Sequence, residues 1–193
     1  GTGDFTVERK DLAQVREREL RTVLKMYGVE APTMLGYRDQ ELASADEQEP
    51  VGKILAVMRD VRPHAVITFG PTGISHHVDH VAIHKLTVAA LDLYEADVEA
   101  RPRLFYPAIP RAIAKKFDFE VEGPEGEPNV FIDIAEHKQM KIQGLRTYRS
   151  QEDAQELAKY IEDDAFLQES FYLARPRLAE GVELDSLFGP LAP

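Results

Sequence analysis

Residues His64–Lys85 read "HAVITFGPTGISHHVDHVAIHK". The first seven, His64–Gly70, are β-branched and apolar nearly throughout. That is the pattern of a strand buried on both faces, as in a parallel sheet. A glycine-containing loop follows. The spacing then predicts a helix from about Asp79 to Tyr94, with Val81, Leu86, Ala89, Ala90 and Leu93 toward the core. Strand, loop and helix in this order are the repeating unit of an α/β sheet, and ligands of such sheets bind where strands end. The second half of the stretch holds His76, His77, His80 and His84, four of the chain's six histidines. A solvated helix start with Asp79 as N-cap explains one histidine more easily than four so close together.

Working outward, Asp11–Tyr27 has helical spacing, with Gly28 as its C-cap. "APTMLGYRD" reads as a short strand running into a loop, and the acidic "DQELASADEQEP" as surface loop. Pro50 suits the first turn of the next helix, which Arg62-Pro63 ends. Downstream, "RLFYPA", "FDFEVE", "NVFIDI" and "ESFYLAR" read as strands, and "GPEGEPN" as a turn-rich connection. Helices are predicted over Ala135–Thr147 and Glu152–Asp163. The alternation in the first half predicts an α/β fold with a mainly parallel sheet.

Composition narrows the chemistry. The chain has 193 residues, 44% of them hydrophobic, and a formal charge of −11. One domain of ordinary size is expected. The charge disfavours nucleic acid and anionic membrane as partners. No apolar run approaches a membrane span, so a cytoplasmic protein is expected. There is no Cys, which excludes thiol nucleophiles and Cys-ligated metals. There is no G-x-S-x-G elbow for a serine hydrolase and no G-x-G-x-x-G loop for a dinucleotide.

The histidines point to a metal. Imidazole suits zinc, and a catalytic zinc takes about three protein ligands and keeps a position for water. Two arrangements fit the spacing. His76, His80 and His84 fall four apart and could stack on one helical face. Alternatively, His77-Val78-Asp79-His80 forms a compact H-x-D-H corner. There one histidine binds metal, the aspartate orients a neighbour and the other histidine faces substrate.

The stretch "RPHAVITFGPTGISHHVDHVAIHK" resembles the second signature of the LmbE-like N-deacetylases, which include the GlcNAc-phosphatidylinositol de-N-acetylases. Val78 stands where that family has Pro in H-P-D-H. "VREREL" (Val15–Leu20) is similar to its V-R-x-x-E-L helix and "LGYRD" (Leu35–Asp39) to its L-G-x-x-D loop. "YRSQ" is similar to its H-x-S-Q, with Tyr148 in place of the His. The resemblance implies a three-layer α/β/α, Rossmann-like fold spanning residues 1–193 as one deacetylase domain. It implies zinc, or another divalent metal, bound by His80. It implies catalytic roles for His77, at the oxyanion or leaving group, and for Asp79, as a partner beyond the metal's own ligands. Arg16 and Asp39 would contact an N-acetylated sugar or glycoconjugate. Without the resemblance, Arg16 reads as pairing with Glu17 or Glu19, and Asp39 as a turn residue.

The family's first signature, A-H-P-D-D-E, is not found in the sequence. It would supply two further zinc ligands and the general base. The chain is therefore expected to be part of a longer protein, lacking the first strand and helix, and to hold no fully ligated zinc as written. The activity implied for the parent protein is metal-dependent removal of an acetyl or acyl group from an N-acylated amino sugar. The competing expectation is a non-catalytic sugar-binding or assembly relative. A homo-oligomer is compatible with either.

Overall fold

The structure, a computed structural model, describes residues 11–163 and 166–191. The opening "GTGD", whose polar sequence reads as loop, lies outside the described residues. The helices and strands are, in chain order, α1 (Leu12–Met26), α2 (Gln48–Val61), β1 (Ala65–Ile67), α3 (Val78–Asp97), β2 (Arg103–Pro107), α4 (Arg111–Ala114), β3 (Val130–Asp133), α5 (Lys138–Thr147), α6 (Glu152–Glu162) and β4 (Gln168–Arg175). The chain divides into two compact units. One comprises residues up to Met34 together with Asp133–Glu169, and the other Leu35–Ile132 together with Ser170–Pro193.

The second unit is built on a four-stranded open sheet of order β1-β2-β4-β3. β1 and β2 are parallel, with Ala65 opposite Arg103 and Ile67 opposite Phe105. β4 lies antiparallel to β2, pairing Tyr106 with Tyr172. The fold is thus mixed α/β, but its sheet is not mainly parallel as expected. Strand–helix alternation produces only the β1–β2 pair, because β4 enters between β2 and β3 and runs against β2.

Strand β2 is buried on both faces, and its side-chain alternation divides the core. Leu104 and Tyr106 pack with Leu55 and Met58 of α2 and Ala90, Leu91 and Tyr94 of α3. Phe105 faces the other way, against Val130 and Leu173 and the partly buried Leu178, Leu184 and Leu187 of the irregular tail. Helices therefore cover one face of this sheet and the C-terminal tail the other. β1 is shorter and more open than its sequence suggests. It is the sheet's terminal strand among the described residues, and Ile67 is 48% exposed.

Two further strand expectations fail. "APTMLGYRD" stays irregular, because Gly36 takes φ +86° and Lys53 Nζ donates to the Leu35 carbonyl at 2.9 Å. "FDFEVE" is broken at its second residue, where Asp118 takes a left-handed φ of 53°, and it turns back through Phe119 N–H to the Ala114 carbonyl at 3.1 Å. No described helix is long and apolar enough to cross a membrane.

In the first unit, α5 packs with α6 and α1 with α5. α1 buries Glu19 and Val23. The Glu19 carboxylate accepts from Ser150 N–H at 2.9 Å and from the Ser150 hydroxyl at 2.5 Å. Lys141 pairs with Glu169. Gly144 has no room for a Cβ because the Tyr27 hydroxyl occupies that space.

Candidate active site

After β1 the chain makes a tight loop. Gly73 N–H bonds the Gly70 carbonyl at 3.0 Å, and His76 N–H bonds the Thr72 carbonyl at 3.2 Å. Gly73, Ile74 and His76 all take positive φ, at 67°, 61° and 58°. Positive φ at a β-branched residue is a conformational outlier. Two non-glycine outliers in one short loop mark the kind of local strain that collects at functional sites. Gly73 is required twice over: by its φ, and because a Cβ there would lie 2.7 Å from the Cβ of His80.

His77 is the N-cap of α3. Its Nδ1 accepts from Asp79 N–H at 3.2 Å, which makes Nε2 the protonated nitrogen of the neutral ring. That Nε2–H lies 3.5 Å from Asp39 Oδ1. The Asp79 carboxylate does not reach a histidine ring nitrogen. Its Oδ2 accepts from Gln40 N–H at 2.6 Å, tying the loop after Asp39 to the first turn of α3. Asp79 Oδ1 is buried and without a partner among the described residues.

His80 is held differently. Its ring stacks on Phe69 at 3.8 Å between centroids and 8° between planes. Its Nδ1 lies 3.1 Å from the Gly73 carbonyl, and a carbonyl can only accept. Nδ1 therefore carries the hydrogen, and the lone pair on Nε2 is the ring's ligand atom. This is the arrangement in which a backbone carbonyl fixes the tautomer of a metal-binding imidazole. His77 and His80 rings are 4.9 Å apart.

The other two histidines do not join this corner. His84 Nδ1 is bonded to the Phe69 carbonyl at 2.9 Å, and its ring meets Tyr106 edge-on at 5.2 Å. His76 is exposed and its Nε2 lies 4.0 Å from Glu122. Of the two arrangements open to the sequence, the fold builds the H-x-D-H corner.

Asp39 is itself positioned. Lys53 holds the "LGYRD" loop through the Leu35 carbonyl, with Nζ 4.8 Å from the Tyr37 ring centroid and 2.8 Å from Glu49. Hydrogen bonding to Glu49 raises the Lys53 pKa, and the same bond lowers that of Glu49. Asp39, His77 and Asp79 each offer a ligand atom within 4.8 Å of the others, so this trio could also hold a metal ion. A cleft of about 310 Å³ flanks the corner, walled by Leu42, Val78, Val81 and Ala82 with Lys85 and Glu47 among its polar residues. Arg16 is exposed on α1, in the other unit. Glu17 pairs with Arg21 at 2.8 Å, and Glu19 with Ser150.

Sequence reasoning missed two buried acids. Glu19 and Ser150 sit in "VREREL" and "YRSQ", two of the stretches that carry the resemblance, and the fold joins them. Glu125 sits in "GPEGEPN", where a turn was the whole expectation.

Residues 1–91 match the family described as PIG-L: GlcNAc-PI de-N-acetylase. The chain is 38% identical over 104 residues to a 1D-myo-inositol 2-acetamido-2-deoxy-alpha-D-glucopyranoside deacetylase of Mycobacterium leprae, covering 46% of this chain and 34% of the relative. It is 32% identical over 147 residues to a probable N-acetyl-alpha-D-glucosaminyl L-malate deacetylase 2 of Bacillus subtilis, covering 76% of this chain and 62% of the relative. A Kineococcus radiotolerans deacetylase of the inositol type is 28% identical, across 94% of this chain and 68% of its own. The chain thus spans about one third to two thirds of the length of these relatives. Residues 1–91, which include the H-x-D-H corner, are the part of the chain that is similar to the GlcNAc-PI de-N-acetylase family.

Proposed function

We propose that the protein is a metal-dependent amide hydrolase that removes an acetyl or acyl group from an N-acylated amino sugar or a related conjugate. The observation that carries this is His80, with Nδ1–H tied to a backbone carbonyl and Nε2 left as a ligand atom, beside a histidine whose own Nε2 bears hydrogen. The relatives, named for acetylated glucosamine conjugates, support the substrate class. His80 would hold zinc or another divalent ion, with further ligands from the family's A-H-P-D-D-E signature. When bound, the metal would polarise the amide carbonyl and lower the pKa of a bound water.

The chain's own residues do the rest. His77 Nε2–H is placed to donate to the oxyanion of the tetrahedral intermediate or to the leaving amine. Asp39, whose Oδ1 lies 3.5 Å from His77 Nε2, orients the ring for that donation. Asp79 acts through position, since one carboxylate oxygen holds the Asp39 loop against the helix start that presents His77. Asp39 and Arg16 are the proposed contacts to sugar hydroxyls. The proposed context is a cytoplasmic, single-domain, three-layer Rossmann-like protein. The partly exposed β1 would take further strands beside it.

The test is release of free amine from N-acetylglucosamine linked to inositol, to malate or to a simple alkyl group, using the full-length protein. Release that stops on chelation and returns with zinc is the expected result. Release unaffected by chelation, or none from any conjugate by metal-loaded protein, overturns the proposal. Sugar binding without release would favour the non-catalytic relative.

A further inference from the structure

The loop that carries the corner is held from below by a residue that this mechanism does not use. Glu125 lies in the short 3-10 turn Gly123–Gly126 and is 0% exposed. Its Oε1 accepts from Thr72 N–H at 2.8 Å and from the Thr72 hydroxyl at 2.8 Å. Its Oε2 is buried with no partner among the described residues. A Cβ at Gly70 would overlap the Glu125 carboxyl carbon, and one at Gly123 would lie 3.2 Å from Oε2. Both glycines therefore keep open the space that the carboxylate fills.

The turn beneath is fixed in its own right. The Glu125 carbonyl accepts from Ile109 N–H at 2.8 Å. Arg111 donates to the Gly123 carbonyl at 3.3 Å and pairs with Glu127 at 2.7 Å. Burying a carboxylate is costly unless it is well hydrogen-bonded. A buried acid with one oxygen unused is not explained by stability alone. Its contacts lead to the site within two bonds. Thr72, which it holds, accepts from His76 N–H through its carbonyl. The next residue, Gly73, supplies the carbonyl that fixes His80 Nδ1.

We infer that Glu125 is a positioning residue for the site. By fixing Thr72 it fixes the Gly73 carbonyl that sets the His80 tautomer, and the strained backbone that delivers His77. What the site does rests on the proposed function; the hold on the loop does not.

The experiment compares Glu125→Gln, Glu125→Met, Thr72→Ser and Thr72→Val in the full-length protein. Gln and Ser keep the acceptor and the hydroxyl; Met and Val keep the bulk without them. Hydrogen exchange at the Thr72 amide is read against the Thr68 and Arg103 amides of the strands. Glu125→Met should lose about tenfold or more of Thr72 protection, the strand amides being unchanged, and Glu125→Gln should retain it. Turnover should follow, with kcat down about tenfold in Glu125→Met and Thr72→Val, KM within about twofold, and recovery in Gln and Ser. Unchanged Thr72 protection in Glu125→Met overturns the inference. So does lost protection with kcat per folded molecule unchanged, which would make Glu125 merely structural. Should wild-type protein release no amine, the proposed function fails, and the exchange data still decide whether Glu125 holds the loop.

Discussion

Glu19 and Glu125 use the same device in different units. Each buried carboxylate takes both the backbone N–H and the hydroxyl of a single Ser or Thr. Glu19 spends both oxygens on Ser150, just before α6, and neither α1 nor the turn at Ser150 contains a described residue at positive φ. Glu125 uses one oxygen on Thr72 and leaves the other buried without a partner among the described residues, beneath a loop with Ile74 and His76 at positive φ. The comparison separates two uses of a buried acid. One closes a structural joint with all its hydrogen bonds made. The other tolerates an unmade bond in order to hold a loop in a conformation it would not adopt alone.

The strongest attack on this comparison is Gly70→Ala, because the new methyl overlaps the Glu125 carboxylate. Overpacking of this kind costs about 1–3 kcal/mol, and amide hydrolysis should fall by more than the stability loss explains. Adding Glu125→Ala makes room, so the double variant should be more stable than additivity predicts. Strict additivity in denaturant melts would show that the two groups are not in contact.

Glu19→Ala should act on stability alone. It leaves the buried Ser150 N–H without an acceptor, a loss of about 1–3 kcal/mol, read as a lower denaturant midpoint. Activity per folded molecule should not change. A drop in kcat with the midpoint intact would erase the distinction between the two acids.

The smallest effect is in the tyrosines. Tyr148 is raised above the ordinary tyrosine range by burial and then by Glu19. Tyr106 is raised by burial, with Arg175 lowering it and Glu125 raising it further. A tyrosine whose folded pKa is raised contributes stability that is complete below the unfolded value of about 10 and is lost as pH rises through the folded value. Unfolding free energy should therefore decline above about pH 10, and less so in Tyr148→Phe. Absorbance titration of tyrosinate should show Tyr148 lowered in Glu19→Gln and Tyr106 lowered in Glu125→Gln. An unmoved Tyr106 would mean that no charge on Glu125 reaches it.

How far the sequence could be read follows the range of the contacts. The H-x-D-H corner was legible because a strand, a glycine loop and an N-cap are local, and His77, Asp79 and His80 are neighbours in the chain. The β1–β2 pairing was legible for the same reason. The antiparallel entry of β4 was not, since nothing in "ESFYLAR" says which strands will flank it. Neither buried acid was legible. Glu19 meets Ser150 across 131 residues and Glu125 meets Thr72 across 53, and each sits in a stretch polar enough to pass for surface. "FDFEVE" alternates like a strand, yet with its own Asp118 in the left-handed region the chain turns back on α4.

The most direct test of the central claim is the metal content of His80→Ala and His77→Ala in full-length protein, measured alongside amine release. His80 Nε2 is the proposed ligand, and losing one of about three ligands leaves a poorly closed site. His80→Ala should lose most of its zinc and its activity. His77→Ala should keep its zinc and lose rate by about a hundredfold or more, as expected for a group acting in the transition state. Equal zinc loss in both variants, or zinc retained in His80→Ala, would contradict the account and favour the Asp39, His77 and Asp79 trio as the metal's seat.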